Sequence, residues 1–414
     1  MRTHLLMLSF TILTFLTGTS QKLKAAMLDD ANTTITLRNF YMLRDYHQED
    51  AGQSQAGSWS QAVLARFDSG FSDGPLAFGL SATGLYAIRL DGGAGRSNDG
   101  NLPFDDYDRS PARDYGRAGL TARLRYGASS VKVGLIEPRL PVLFQDDVRV
   151  LPQTFEGALI ESNFLGGTRL VGGQFWRTST RASSDSEPFY LAGRPASESS
   201  NKLSTVGLEA RVSDFNISGY FANLENIYDQ QYFGSTFNHR LNASLSLFGT
   251  LSYFSNKQSG RALSGEIDNR AYGLRLGIRY LGHSISLTNQ RMLGDSMFPM
   301  LAGSTPQPYL VNWVTNGGFF WANERSWQIR YDYDFVQLGI PGLTLMSRYT
   351  KGVDIDYGST TRGHEFERDT DLGYTVQSGA VKDLNITLRT SSVRSSYSSD
   401  YDEVRVIVSL PIHF

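Results

Sequence analysis

The last eleven residues, Val404-Arg405-Val406-Ile407-Val408-Ser409-Leu410-Pro411-Ile412-His413-Phe414, decide the fold class. Every second position from Val404 to Phe414 is apolar, while the positions between them are mostly polar. This period of two is typical of a strand that turns one face to hydrocarbon and the other to water. The stretch also has the length that a tilted strand needs to cross a bilayer, roughly 9–11 residues. It predicts a membrane-crossing strand, although the edge strand of a soluble sandwich would alternate in the same way.

The rest of the chain favours the membrane interpretation. The same alternation recurs about eighteen times between residue 33 and the C-terminus, and no helical period of useful length competes with it. Short turns and long polar loops follow one another, as residues 72–75 and 91–115 illustrate. A soluble sandwich gives no reason for loops on one side only, whereas a bacterial outer-membrane barrel has this asymmetry. The predicted fold is all-β, a single closed transmembrane antiparallel barrel of about 18 strands.

The first 26 residues form a separate unit. A basic start at Arg2, a short apolar run over residues 5–16 and small residues up to Ala25 and Ala26 predict a secretory signal peptide. The segment carries three basic residues and no acid, so its removal changes 39 basic and 41 acidic residues to 36 and 41. The net charge of residues 27–414, the predicted barrel domain, is then −5, which does not suggest a nucleic-acid partner.

The residues that enzymes and metal sites need are sparse. The chain has no cysteine, which excludes disulfides and thiolate metal ligands. The histidines beyond the signal segment show no metal-binding spacing, and no Gly-x-Ser-x-Gly motif is present. We therefore expect no catalytic residues, no metal and no cofactor.

Several stretches resemble one family, the OprD-type substrate-specific outer-membrane porins, or carboxylate channels. They include Leu-Arg-Asn-Phe-Tyr at 37–41, Asp-Val-Arg-Val-Leu-Pro-Gln-Thr-Phe-Glu-Gly at 147–157 and Ser-Trp-Gln-Ile-Arg-Tyr-Asp-Tyr-Asp-Phe at 326–335. The resemblance implies 18 strands, short periplasmic turns, long extracellular loops and a Gram-negative outer-membrane location. It also implies that the loop over residues 146–153 folds into the lumen as a constriction. The constriction residues predicted in this way are Asp146, Asp147 and Arg149.

Members of this family line the pore with a row of basic side chains, the basic ladder, which guides a substrate carboxylate. Strand parity tests whether such a row is possible here, because a charge facing lipid at the midplane costs roughly 2–4 kcal/mol. If the apolar row of each strand faces lipid, a set of basic side chains faces the lumen. The predicted substrate-binding ladder is Arg38, Arg66, Arg89, Arg123, Arg125, Lys132, Arg348, Arg389 and Arg405.

The predicted function is passive, selective diffusion of small carboxylates such as aromatic acids or amino acids. Three alternatives stay open at this point. The lumen arginines could simply pair with lumen acids, as Arg330 could with Asp332 and Asp334. The pore could instead take uncharged sugars, such as chitin-derived oligosaccharides, or act as a general diffusion porin.

Further partners follow from the predicted location. We expect outer-membrane lipid and lipopolysaccharide around the barrel, and a monomer or weak homotrimer. A terminal strand that ends on Phe414 resembles the signal that the barrel-assembly machinery binds.

Overall fold

The structure is a computed structural model that describes residues 27–48, 52–104, 110–164, 166–304, 308–358 and 360–414. The predicted signal peptide, with its cleavage site near Ala25 or Ala26, lies outside the described residues. In the described ranges, no helix is long and apolar enough to span a membrane.

Eighteen long strands form one sheet, and two short strands pair separately. The first nine strands of the sheet are β1 (Asn32–Tyr46), β2 (Gln55–Asp68), β3 (Leu76–Asp91), β4 (Asp114–Tyr126), β5 (Ser129–Ile136), β8 (Thr154–Phe164), β9 (Thr168–Ser179), β10 (Leu203–Val212) and β11 (Phe215–Leu224). The other nine are β12 (Tyr228–Arg240), β13 (Leu245–Gln258), β14 (Asp268–Tyr280), β15 (His283–Leu293), β16 (Arg325–Asp334), β17 (Leu343–Tyr357), β18 (Thr360–Thr375), β19 (Asn385–Ser395) and β20 (Tyr401–His413). The short pair is β6 (Arg139–Leu140) and β7 (Leu143–Phe144), and short 3₁₀ turns span Ala94–Arg96 and Phe335–Leu338.

The sheet is a closed antiparallel meander. Each strand pairs with its neighbours in the chain, β5 pairs with β8, and β20 pairs with β1 to close the barrel. The closing register sets Ile35 opposite Ile412 and Arg38 opposite Ser409. At the seam, Phe414 donates its backbone N–H to the Thr33 carbonyl at 2.9 Å. The predicted closed barrel of about 18 strands is confirmed.

Side chains alternate between the outer wall and the lumen. On β1, Phe40 and Met42 are fully buried inside the barrel, while Leu37 on the other face is exposed. On β14, Leu274 and Leu276 lie on the exposed outer row. An outer row of exposed apolar side chains is what hydrocarbon contact requires, so the parity used in the sequence analysis holds.

The two ends of the barrel differ as expected. Residues 213–214 and 281–282 form two-residue turns at one end, the short-turn end, where both chain termini of the barrel also lie. Loops such as residues 180–202 and 294–324 emerge at the other, the long-loop end.

The largest difference between predicted and observed strand bounds is in β18. The alternation predicted a strand only over residues 371–377, whereas β18 starts eleven positions earlier, at Thr360. Its inward row contains Glu365, Glu367 and Asp369, which are buried, and its outer row contains the exposed Arg368. Charges on both faces hide the period of two, because the apolar row that would mark a lipid-facing side is interrupted.

Candidate functional site

The segment between β5 and β8, residues 137–153, folds into the barrel. Val150 and Leu151 are fully buried and belong to a cluster that contains Phe40 and Met42 of the barrel wall. Burial of apolar side chains of this size contributes about 1.5–3 kcal/mol each. The first inward loop is therefore held by apolar contacts, and its predicted position in the lumen is confirmed.

Asp146 organises the turn of this loop. Its carboxylate is fully buried, accepts a hydrogen bond from the Val148 backbone N–H at 2.9 Å and pairs with Arg181 at 2.5 Å. Its carbonyl accepts from the Gln153 N–H at 2.7 Å. A buried carboxylate needs such partners, so Asp146 fixes the loop rather than presenting a free charge to the lumen.

Arg38 joins the barrel wall to the same loop. Its guanidinium donates to the Asp147 carboxylate at 2.7 Å and to the carbonyls of Arg149 and Val150 at 2.9 and 3.3 Å. These bonds satisfy backbone acceptors that a loop inside a barrel would otherwise leave without partners. Arg38, predicted as a ladder residue, thus contacts a carboxylate of the protein itself.

A second loop, residues 294–324, also enters the lumen in its described part. The Glu367 carboxylate of β18 accepts hydrogen bonds from the backbone N–H groups of Asn316 and Gly317 at 2.9 and 2.6 Å. The Ser304 hydroxyl donates to the Phe144 carbonyl at 2.8 Å, which joins the second inward loop to the first. The two loops therefore contact each other inside the barrel.

A buried charged cluster lies where the second inward loop meets β20 and β1. Glu403 pairs with Arg44 at 2.8 Å and accepts from Arg405 Nε at 2.6 Å. The Asn316 side-chain oxygen accepts from both arginines, at 3.2 and 2.8 Å. Burial lowers the pKa of the nearby Arg149 guanidinium, and the positive charge of Arg405 lowers it further. Arg44 and Arg405 share both the Glu403 carboxylate and the Asn316 side-chain oxygen.

Three cavities that share lining residues lie on the short-turn side of the inward loops. The smallest, about 210 Å³, is bounded by Val148, Thr315, Arg348 and Arg389 and reaches Arg330. Arg348 binds Asp369 at 2.6 Å and Thr315 at 3.1 Å. This chamber lies directly against both inward loops.

The largest cavity, about 550 Å³, is lined by five arginines and one acid, Glu209. These arginines are Arg169, Arg211, Arg275, Arg330 and Arg348. Aromatic rings of Tyr232, Tyr309 and Trp313 line the same space. Arg169 bonds Glu209 at 2.8 Å and also pairs with Glu161. Arg275, among the described residues, donates only to the Ser286 hydroxyl, at 3.1 Å. The cavity combines cationic donors with flat apolar surfaces.

A third cavity, about 510 Å³, reaches the short-turn end. Its lining contains acidic as well as basic side chains. Arg330 and Arg389 line it together with Asp332 and Asp371. Arg330 forms a bidentate ion pair with Asp332, with hydrogen bonds of 2.6 to 3.1 Å. Arg330 thus lines all three cavities, while Arg348 and Arg389 each line two.

Comparison with known proteins agrees with this architecture. A family model described as "outer membrane porin, OprD family" matches residues 25–414. The chain belongs to the OprD family. Porin-like protein GalP of Pseudomonas putida is 39% identical over 396 residues, which cover 95% of this chain and 94% of GalP.

Solved structures of Pseudomonas aeruginosa proteins are similar to this OprD-family porin. The crystal structure of OpdK with vanillate is 36% identical, covers 94% of this chain and 100% of the other, and has a TM-score of 0.88. OccK2 (OpdF) in complex with glucuronate is 35% identical, with the same coverage and a TM-score of 0.85. The chain is therefore a channel of the Gram-negative outer membrane rather than an enzyme, and its long-loop end is extracellular.

The remaining predicted ladder residues of the porin lie elsewhere in the lumen. Arg66 pairs with Glu137 at 2.7 Å, and Lys132 lies 3.4 Å from Glu161. Arg89 donates to the Pro111 carbonyl at 2.6 Å. Two further arginines lie over the Phe71 ring near the periplasmic end, with their guanidinium carbons 4.9 and 4.3 Å from its centre; they are Arg123 and Arg125.

Of the nine predicted residues, Arg348 and Arg389 line the described cavities. Sequence reasoning missed Arg169, Arg211 and Arg275, although Arg275 sits between Leu274 and Leu276 of an apolar row, where parity would have found it. Within the described ranges, no three histidine or acidic side chains form a metal-ligand set.

Proposed function

We propose that this OprD-family porin conducts small carboxylate-bearing solutes by passive diffusion, with Arg330, Arg348 and Arg389 as successive binding points. The observation that carries the proposal is the position of Arg330 on the wall of all three cavities. A carboxylate bound to one of these guanidinium groups has the next within the same space. The proposed track leads from the chamber beside the inward loops toward the periplasmic end.

Guanidinium chemistry suits this role. Arginine presents planar donors that bind a carboxylate through two parallel hydrogen bonds, and it is more weakly hydrated than an ammonium. The neighbouring acids do not abolish this capacity. Arg389 binds Asp371 through Nε and Nη2, and 24% of its side-chain surface remains exposed. The Nη1 edge and the face toward the cavity stay open to a passing anion.

The charge balance of the largest cavity supports anions over neutral solutes. Five arginines line it, and three of them pair with carboxylates. Among the described residues, Arg211 and Arg275 have no carboxylate partner, and narrow clefts focus the field of such charges. Arg405 would contribute to the same field by its charge rather than by contact, because its side chain is fully covered. The relatives OpdK and OccK2 were crystallised with vanillate and glucuronate, and each of these ligands carries a carboxylate.

The aromatic lining favours a second candidate, a channel for neutral sugars. Tyr232, Tyr309 and Trp313 could stack on a sugar ring in the largest cavity without any charge on the solute. The two candidates differ in what they predict for the arginines. Only the carboxylate channel loses transport when the guanidinium groups are replaced by neutral side chains of similar length.

Liposome swelling with glucuronate and glucose tests the proposal, because the two solutes share a ring and differ in charge. The double variant Arg348→Gln, Arg389→Gln should lower the glucuronate-to-glucose rate ratio about tenfold, since a hydrogen bond to a charged group contributes ~1.5–3 kcal/mol. Arg125→Gln, which removes a charge beside Phe71 instead, should leave the ratio unchanged. An unchanged ratio in a folded double variant would overturn the carboxylate track and favour the sugar channel.

A further inference from the structure

Four basic side chains lie on the outer wall of the barrel, at the extracellular end of β14 to β17. They are Arg270, Arg291, Arg325 and Lys351, and we refer to them as the outer basic row. Each occupies the outward parity of its strand. Arg270 stands two positions from Tyr272, and Arg325 stands two positions from Trp327, both of which are exposed on the lipid side.

Strand register makes these residues neighbours. Arg291 is directly opposite Arg325 of β16 and, on its other side, opposite Tyr272 of β14. Arg270 is the next residue along β14 that faces the same side as Tyr272. Lys351 is opposite Trp327, which lies two residues from Arg325 on the same face of β16. Like charges directly opposite each other destabilise a sheet unless an anion lies between them. The opposition of Arg291 and Arg325 at an exposed surface therefore points to an anionic partner.

The protein itself supplies little compensation. Arg325 binds the Asp354 carboxylate through Nε at 2.6 Å. Among the described residues, no side-chain hydrogen bond or ion pair engages Arg270, Arg291 or Lys351. Three of the four cations are thus available to a ligand at the surface.

The surface below the row is apolar and aromatic. Ring pairs Tyr253–Tyr272 and Trp327–Tyr349 lie at centroid distances of 4.9 and 5.6 Å. Exposed aliphatic side chains continue toward the membrane centre on the same strands; they include Leu274, Leu287 and Ile329. A ligand for this face has an anionic head at the membrane edge and hydrocarbon chains beneath it.

Outward-facing charges at other positions on the outer wall include acids, some of them paired with basic side chains; Asp402 pairs with Arg394 at 3.0 Å and lies 3.0 Å from His47. Asp45 and Asp402 face each other across the closing seam, and Asp114 is exposed on β4. On the side toward β12, Lys257 lies between Asp229 and Asp268 in the register, which ends the excess of positive charge. The outer basic row therefore differs from the basic side chains at the seam, which pair with Asp402, because three of its four members have no such partner among the described residues.

We propose that the outer basic row binds the phosphate groups of an outer-leaflet glycolipid, the lipid A portion of lipopolysaccharide. The row faces the outer leaflet, where this lipid presents phosphates on a sugar headgroup above several acyl chains. Phosphate oxygens form short, charge-assisted hydrogen bonds with arginine and lysine. Strands are ~4.8 Å apart, so Arg270 and Lys351 span about 14 Å, room for more than one phosphate. These residues line none of the described cavities, so the site is independent of the transport route.

Native mass spectrometry of the folded porin in detergent tests the site with three defined probes. These are bisphosphorylated lipid A, its dephosphorylated form and phosphatidylglycerol. Wild-type protein should retain bisphosphorylated lipid A most strongly. The triple variant Arg270→Gln, Arg291→Gln, Lys351→Gln should bind it about tenfold or more weakly, because the charge-assisted bonds to phosphate are lost.

A matched control removes three exposed basic charges outside the row, with Lys202→Gln, Lys257→Gln and Arg240→Gln. This variant should bind lipid A as the wild type does, and heat-modifiable migration should show both variants to be folded. Equal binding of lipid A by the triple variant would overturn the site. Equal retention of phosphatidylglycerol and lipid A by the wild type would overturn the choice of glycolipid.

Discussion

Arg389 and Arg405 lie directly opposite each other on β19 and β20, yet each binds a different carboxylate. Arg389 pairs with Asp371 through bonds of 2.7 and 2.6 Å and lines two cavities. Arg405 bonds Glu403 at 2.6 Å and is fully covered. Two residues that parity predicts as equivalent ladder positions therefore differ in what a solute can reach.

We expect Arg389→Gln to reduce carboxylate flux and Arg389→Glu to reduce it more, because glutamate adds repulsion to the loss of the guanidinium group. The effect should weaken with salt, since the Debye length falls from ~10 Å at 0.1 M to ~3 Å at 1 M. Zero-current potentials in planar bilayers report the change in anion selectivity. Wild-type selectivity in both folded variants would exclude Arg389 from the track.

Arg405→Gln should act on stability as well as on flux. Glu403 would keep Arg44 but lose its second cation, and breaking a buried pair typically costs about 3–5 kcal/mol. We expect the folded band in a heat-modifiability series to disappear at a lower temperature than in the wild type. The Arg389→Gln barrel, whose pair is partly exposed, should melt closer to the wild type. The reverse order of melting would contradict the burial argument.

The fold could be predicted because most strands show the period-two pattern in their own sequence. The terminal strand alternates strictly, and the closing pair of β20 with β1 follows once the barrel is closed. The early part of β18 could not be predicted in the same way. The inward-facing Glu367 of this part accepts hydrogen bonds from the backbone N–H groups of Asn316 and Gly317. These residues are distant in the sequence, so the local pattern of β18 does not record the contact.

The candidate site was predictable only in part, for the same physical reason. Parity states which way a side chain points, and it identified Arg348 and Arg389 as lumen residues. It does not indicate which hydrogen-bond acceptor lies next to that side chain. Arg38 bonds two carbonyls of the first inward loop, and Arg89 bonds the Pro111 carbonyl. Such partners depend on how loops fold inside the barrel, which no local period records.

The contact between Arg38 and Asp147 should control the width of the pore. Arg38→Gln removes the ion pair and weakens the bonds to the loop carbonyls, whereas Asp147→Asn removes the charge alone. We expect single-channel conductance in high salt to rise in both variants, and more in Arg38→Gln. Unchanged conductance in both would assign the narrowing to the second inward loop, residues 294–324.

Deletion of Phe414 should impair assembly. The residue exchanges backbone hydrogen bonds with Thr33 at the seam, at 2.9 and 3.3 Å, and its ring is 73% exposed at the membrane edge. The deletion removes both bonds and the terminal ring. Heat-modifiable migration of membrane fractions should show much less folded barrel than deletion of Lys382, an exposed turn residue at the same end. Equal folded yields would contradict the assembly role.

Glu324 should make the second inward loop sensitive to pH. The side chain is buried at the extracellular end of the barrel, where it accepts a hydrogen bond from the Trp321 backbone N–H at 3.1 Å. Burial, and then the charge of nearby Glu365, raise the pKa of Glu324 above its usual range. The folded barrel therefore favours the protonated acid. The resulting stability is complete below the ordinary glutamate pKa and is lost as the pH rises through the raised value.

Glu324→Gln mimics the protonated acid, so it should flatten this dependence. We expect the wild-type melting temperature to fall as the pH rises above the ordinary glutamate pKa, and that of the variant to fall less. The matched control is Glu225→Gln, since Glu225 is exposed and lies 3.8 Å from Lys202. It should follow the wild-type profile. If Glu324→Gln instead melts at a lower temperature than the wild type by the same amount at every pH, the titration of Glu324 does not set the stability of this loop.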